Sequence, residues 1–165
     1  TKKRGETLET AFREIRRDPD AWQVQVVDAV TRSRGMGSVR DTGTTTFVSS
    51  PSDLTGIGIA VSGFMRECYH DADRNQARLG LHSLSTLLMY SDLKRVYQFV
   101  HVLAGRSESS GMASAFTLDT STRGGETVDM LKQIFDAVVE VRETPEGQEL
   151  RVRGGEFGPS AWTEF

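Results

Sequence analysis

Arg78-Leu79-Gly80-Leu81-His82-Ser83-Leu84-Ser85-Thr86-Leu87-Leu88-Met89-Tyr90 is the stretch whose reading decides the fold of this chain. Residues 78–82 are apolar enough for a short buried strand that ends on a histidine, 83–86 are rich in hydroxyls, and 87–90 are apolar again. The clearest helix of the sequence follows at once. It opens on Ser91 and Asp92, puts Leu93, Val96, Tyr97, Val100, Leu103 and Ala104 on one face, and ends near Gly111. A buried strand leading into an amphipathic helix is the repeating unit of α/β domains.

Outward from that unit the pattern repeats. Toward the C-terminus, residues 112–118 read as a second buried strand, 119–125 as a polar loop over its end, and 127–135 as a helix with Val128, Leu131, Ile134 and Phe135 inward. Residues 137–142 then alternate apolar and polar, Thr144-Pro145-Glu146-Gly147 turns, and Leu150 and Val152 alternate back, which predicts a hairpin. Trp162 and Phe165 in the tail are expected to dock on the body. Toward the N-terminus, Leu54, Ile57, Val61, Phe64, Met65 and Cys68 form the stripe of a helix capped within residues 49–53. Its glycines 56, 58 and 63 each cost about 1 kcal/mol in a helix interior, which predicts close approach of a neighbouring backbone. Residues 32–45 form a glycine-rich surface loop after a valine-rich strand at 22–30, a short strand follows at 46–49, and 7–17 carry the stripe of a first helix, Leu8, Ala11, Phe12 and Ile15.

Strand and helix signals alternating through short loops predict one α/β domain over residues 1–165, three layers with a mostly parallel sheet and a C-terminal antiparallel hairpin. At 165 residues the chain is the size of one domain, and 37% hydrophobic with 26% charged residues is an ordinary globular composition. Its one cysteine, Cys68, has no internal disulfide partner. No apolar run approaches the ~20 residues of a membrane span, so no membrane partner is expected and the cytoplasm is the default. A net charge of −3 argues against a general nucleic-acid binder. The 16 arginines against 4 lysines fit a GC-rich genome.

Ligands of such sheets lie beyond the carboxyl ends of the strands, which singles out residues 28–32, 82–85 and 119–122, with Asp28, His82, Ser83, Asp119 and Thr120 as the candidates within them. His82 and Ser83 are adjacent on a strand and point to opposite faces, so a direct nucleophile and base pair is not expected, and no catalytic residue is assigned. Asp28 stands alone where a phospho-acceptor receiver domain has an acidic pair. Asp119 either caps the turn into Thr120 or holds a ligand hydroxyl or a magnesium-bound water. Gly56 and Gly58, in Thr55-Gly56-Ile57-Gly58, form a weak anion-site candidate, with helix packing the stronger reading. His70, His82 and His101 lack the spacing of a metal motif, and no metal is expected. His101 lies in a helix and reads as a packing or partner contact.

Residues 78–88 resemble the Walker B strand of RecA/KaiC-like P-loop ATPases, in which an apolar strand ends in Asp-Ser and runs into a Leu-Ser-rich stretch. Residues 91–111 resemble the helix that follows, 111–119 the next core strand, and 138–153, running into Leu150-Arg151-Val152-Arg153-Gly154, the C-terminal hairpin of KaiC-like proteins. SSPSDLTGIGIAVSGF at 49–64, LGLHSLSTLLMY at 79–90 and RVYQFVHVLAGR at 95–106 together look most like haloarchaeal KaiC-like proteins of the halobacterial-transducer-like type. The resemblance implies a RecA-like fold that begins here near the end of the family's second core strand, without the P-loop GxxxxGK followed by Ser or Thr. It places His82, with Ser83 beside it, at the Walker B aspartate, removing the carboxylate that organises a magnesium water beside the γ-phosphate. The expectation is a degenerate, non-hydrolysing regulatory or signalling domain acting through a protein partner or self-association. ATP and magnesium would be cofactors only if a P-loop lies upstream of Thr1, in which case the segment is part of an ATPase. A third reading is a small-molecule enzyme using His82 and Asp119.

Overall fold

The computed structural model describes residues 5–15, 23–35, 40–70, 77–121 and 124–165. The chain divides into two compact units, Thr1–Asp119 and Thr120–Phe165.

In the first unit, helix α1 (Gly5–Ile15) packs on strand β1 (Val26–Asp28), with Leu8, Ala11 and Phe12 half-buried and Thr7, Thr10 and Glu14 exposed, the face its stripe predicts. β1 pairs in parallel with β2 (Thr45–Phe47), Val26 opposite Thr45 and Asp28 opposite Phe47. The strand expected over 22–30 is therefore only three residues long where it pairs. Its end has a local cause: the Asp28 carboxylate accepts from the Val30 and Thr31 amides and bends the chain into a 3-10 turn at Arg32–Arg34, closed by Gly35 at φ 69°. Residues 36–39 of the predicted loop lie outside the described residues.

Helix α2 (Leu54–His70) buries Leu54, Ile57, Val61 and Met65, as its spacing predicts, whereas Cys68 is exposed and not part of the core. Strand β3 (Arg78–Leu81) pairs in parallel with β4 (Ala113–Phe116), Leu81 opposite Phe116. Between them run helix α3 (Leu84–Tyr90) and helix α4 (Leu93–Ser109). α4 is anchored by Val96 and Val100, both 0% exposed, and opened by Asp92, whose carboxylate accepts from the Arg95 amide at 2.9 Å. The sequence pattern does not mark α3 as a helix. Ser83 caps it by accepting from the Thr86 amide, which turns the run 84–90 helical although seven residues are too few to show a periodicity.

The expected single, mostly parallel sheet is not what the described strands form. They make two separate two-stranded parallel sheets, β1-β2 and β3-β4, and one antiparallel sheet of three strands. The parallel ladders are three and four residue pairs long. Helices link them: α2 packs on both β1 and α4, and α4 packs on β4. The α/β character holds, and so does the closing antiparallel hairpin.

In the second unit, helix α5 (Gly125–Lys132) buries Val128 and Leu131, the latter 1% exposed, and stops short of the predicted 135 because the Ile134 and Phe135 amides turn back onto the Leu131 and Lys132 carbonyls. Strands β5 (Ala137–Thr144) and β6 (Gly147–Gly154) form the hairpin in full register, from Ala137 opposite Gly154 to Thr144 opposite Gly147. The tail adds a third strand, β7 (Thr163–Glu164), along β6. Trp162 docks as expected, with the guanidiniums of Arg142 and Arg151 over its ring at 4.2 and 4.4 Å from the centroid. Phe165 does not: its side chain is 63% exposed and only its backbone amide is held, by the Gln148 carbonyl. Glu140 sits on the same hairpin face as Arg151, accepting from Arg151 at 2.5 Å and from Lys132 at 3.0 Å.

Among the described residues no helix is long and apolar enough to cross a membrane.

Candidate functional site

The carboxyl ends of the two parallel pairs are where a layered α/β protein presents its chemistry, and both are closed by polar side chains. At the first, Asp28 is 3% exposed. One carboxylate oxygen accepts from the Val30 and Thr31 amides at 2.9 Å each, and the other accepts from the Thr31 hydroxyl at 2.8 Å. A buried carboxylate is tolerable only when its oxygens are supplied with donors, and Val30 and Thr31 of its own turn supply three of them. The Asp28 carbonyl extends the arrangement by accepting from the Val48 amide at 2.9 Å.

At the second end, the parallel register that sets Leu81 opposite Phe116 brings the next residues, His82 and Thr117, side by side. His82 Nδ1 lies 2.8 Å from the Thr117 hydroxyl oxygen. Thr117 is also bound through its backbone, its amide donating to the Leu81 carbonyl and its carbonyl accepting from the Leu84 amide. The Ser83 hydroxyl turns into α3 as its cap, 3.3 Å from the Thr86 hydroxyl, so His82 and Ser83 do not act together. Their peptide bond is cis. The Ser85 hydroxyl accepts from the Asp119 amide at 2.9 Å, tying the end of the first unit to the opening turn of α3. His82, Thr117 and Asp119 are all exposed. The hydrogen bonds of these three positions run to different partners: Asp28 to Val30 and Thr31, His82 to Thr117, and the Asp119 amide to Ser85. Thr120 opens the second unit and is exposed.

The weak anion site at the start of α2 is filled from within. Gly56 donates its amide to one oxygen of Asp53 at 2.8 Å, and the Ser49 hydroxyl donates to the other at 2.8 Å. The Gly56 amide, followed by the Ser49 hydroxyl, holds the Asp53 carboxyl below the usual carboxylate range. Side-chain contact also explains the glycine better than the expected close backbone. A Cβ at Gly56 would stand 2.5 Å from the Asp53 carboxylate, one at Gly58 would be 3.7 Å from the Phe99 ring, and one at Gly63 would meet nothing within 4 Å. His101 is exposed and stacks on Tyr97 one turn away, ring centroids 6.2 Å apart, while the side chain of His70 lies outside the described residues.

Ser85, which engages the Asp119 amide, lies within the stretch 82–85 that the sequence singles out, whereas Thr117, which engages His82, carries no motif of its own. The signal of Thr117 is positional: a hydroxyl just past one strand end becomes a neighbour of the polar residue just past the other once the strands are paired in register.

The sequence pattern of a family of unknown function (DUF7504) matches residues 1–141, all of the first unit and the start of the second. No curated protein matches the chain.

Proposed function

The chain belongs to the DUF7504 family, whose function is unknown, and from that premise we propose that it is a regulatory binding domain of RecA/KaiC-like descent that acts through protein contacts and does not hydrolyse ATP. One observation carries this reading: groups at the strand ends are engaged with their own neighbours in the fold. Asp28 organises residues 28–31, His82 pairs with Thr117, and Ser85 holds the Asp119 amide. A phosphoryl-transfer site needs a carboxylate directed at the metal and at the attacking group, and at the strand end the resemblance points to, this chain presents an imidazole.

The descent is supported by the β3-α3-α4-β4 unit, a short strand that leads into His82-Ser83 and pairs in parallel with the strand following the two helices. The contact role is supported by large apolar side chains left in solvent on the first unit. Met89 and Tyr90, adjacent at the end of α3, are 73% and 53% exposed, and Ile59 on α2 is 69% exposed. Single exposed apolar residues are ordinary, but adjacent large ones at an element end are the composition of contact surfaces.

Sedimentation velocity over a wide concentration range tests the contact role. Self-association that Met89→Asp weakens is the expected result. A monomer at every concentration, with the variant indistinguishable from the parent, would remove that half of the reading, and magnesium-dependent ATP turnover would remove the other.

A further inference from the structure

The C-terminal halves of α2 and α4 enclose an open groove of about 640 Å³ that neither strand end reaches. α2 contributes Ser62 and Arg66, one turn apart, and α4 contributes His101 and Arg106. Arg106 is drawn across the groove, its Nη1 donating at 2.5 Å to the Ser62 hydroxyl, which in turn donates to the Gly58 carbonyl at 2.7 Å. Among the described residues the polar lining consists of two guanidiniums, an imidazole and serine hydroxyls, without a carboxylate. Among the described residues neither Arg66 nor Arg106 forms an ion pair, although the chain as a whole is net negative at −3. The remaining wall is apolar: Met65 is buried, Val102 is 53% exposed, and Gly105 leaves its side of the groove open.

Two guanidiniums supply donors and no acceptors, so their complement is an anion with several oxygens. A cation in the last turn of a helix is ordinarily explained by the helix dipole. That accounts for Arg106, which is in the last turn of α4, but not for Arg66 standing in the same groove without a carboxylate. A phosphoryl group, with three free oxygens and close to two charges, uses two forks and a hydroxyl more fully than a carboxylate does. The apolar wall asks for a ligand that is not inorganic phosphate alone, since binding pockets combine few fixed polar groups with apolar surface.

We propose that this groove binds an organic phosphate, its phosphoryl group between Arg66 and Arg106 and its apolar or aromatic part against Met65 and Val102. The site is separate from the strand ends and stands independently of the contact role above.

An NMR titration of the 15N-labelled full chain with phenyl phosphate, inorganic phosphate and benzyl alcohol tests it. Phenyl phosphate is expected to give saturable shifts at the Ser62, Arg66 and Gly105 amides, tighter than inorganic phosphate, with benzyl alcohol giving none. Arg66→Gln, which breaks no ion pair, should weaken phenyl phosphate roughly tenfold, the loss expected when one charged hydrogen bond is removed. Arg66→Gln with Arg106→Gln should abolish the shifts while leaving the remaining spectrum in place. Absence of saturable shifts up to about 20 mM, well weaker than a millimolar site, would overturn the proposal. So would unchanged affinity in Arg66→Gln, or equal affinity for the two phosphates.

Discussion

Replacing Asp28 by alanine separates a structural carboxylate from one held in reserve for chemistry. The side chain is 3% exposed and receives two amides at 2.9 Å and a hydroxyl at 2.8 Å. Truncation leaves the buried Val30 amide without its acceptor, at about 1–3 kcal/mol, while the part-buried Thr31 groups recover some of their loss from water. Adding the loss of hydrogen bonds to a charged group, the expected destabilisation is about 2–4 kcal/mol, a large share of the ~5–15 kcal/mol that holds a typical domain together. Asp28→Asn keeps one carbonyl oxygen for both amides and should cost about half as much. Urea unfolding followed by far-UV circular dichroism reads the totals, and native-state hydrogen exchange at Val30 and Thr31 reads the site itself. A change within about 0.5 kcal/mol for Asp28→Ala, the range of ordinary surface substitutions, would refute the argument. Equal losses for Ala and Asn would refute the part assigned to the amides.

Val100→Ala in the core of α4 removes two carbons from a side chain that is 0% exposed and should cost about 2–3 kcal/mol in urea unfolding. For Glu140, burial raises the carboxyl pKa, but the hydrogen bonds and charges of Lys132 and Arg151 outweigh it and leave the folded value below the unfolded one. Its contribution is therefore present above the unfolded pKa and lost as pH falls through the folded one. Thermal melts across the carboxylate range should show Glu140→Gln with a flatter acid limb than the parent. Trp162→Ala removes the ring that Arg142 and Arg151 both overlie and should cost about 1–2 kcal/mol locally. Its readout is faster hydrogen exchange of the Phe165 amide, which the Gln148 carbonyl now holds.

What could be read from the sequence was whatever local chemistry decides. α4 was legible from the Asp92 cap and a stripe that continues through Val96, Val100 and Leu103. The hairpin was legible because a period of two flanks the Pro145-Glu146 turn. α3 was not, since a seven-residue segment of mixed hydroxyl and apolar residues looks alike as strand, loop or helix and only the Ser83 cap tips it. β1 was read too long because a valine run says nothing of the Asp28 turn that cuts it. The continuity of a sheet depends on which strands pair, and no single strand carries that information. The candidate site divides in the same way. The position of His82 at a strand end was legible, but its partner Thr117, 35 residues away, follows only from register. Arg66 and Arg106 were invisible as a pair because two helices far apart in sequence must pack before they share a groove.

The most direct test of the regulatory reading is phosphate release from magnesium ATP by the purified chain, beside its His82→Ala variant. If, as proposed, His82 stands where a related ATPase has its metal-organising carboxylate, the chain should release phosphate no faster than buffer, with parent and variant indistinguishable. Magnesium-dependent turnover that His82→Ala abolishes would contradict it and make His82 part of a working site.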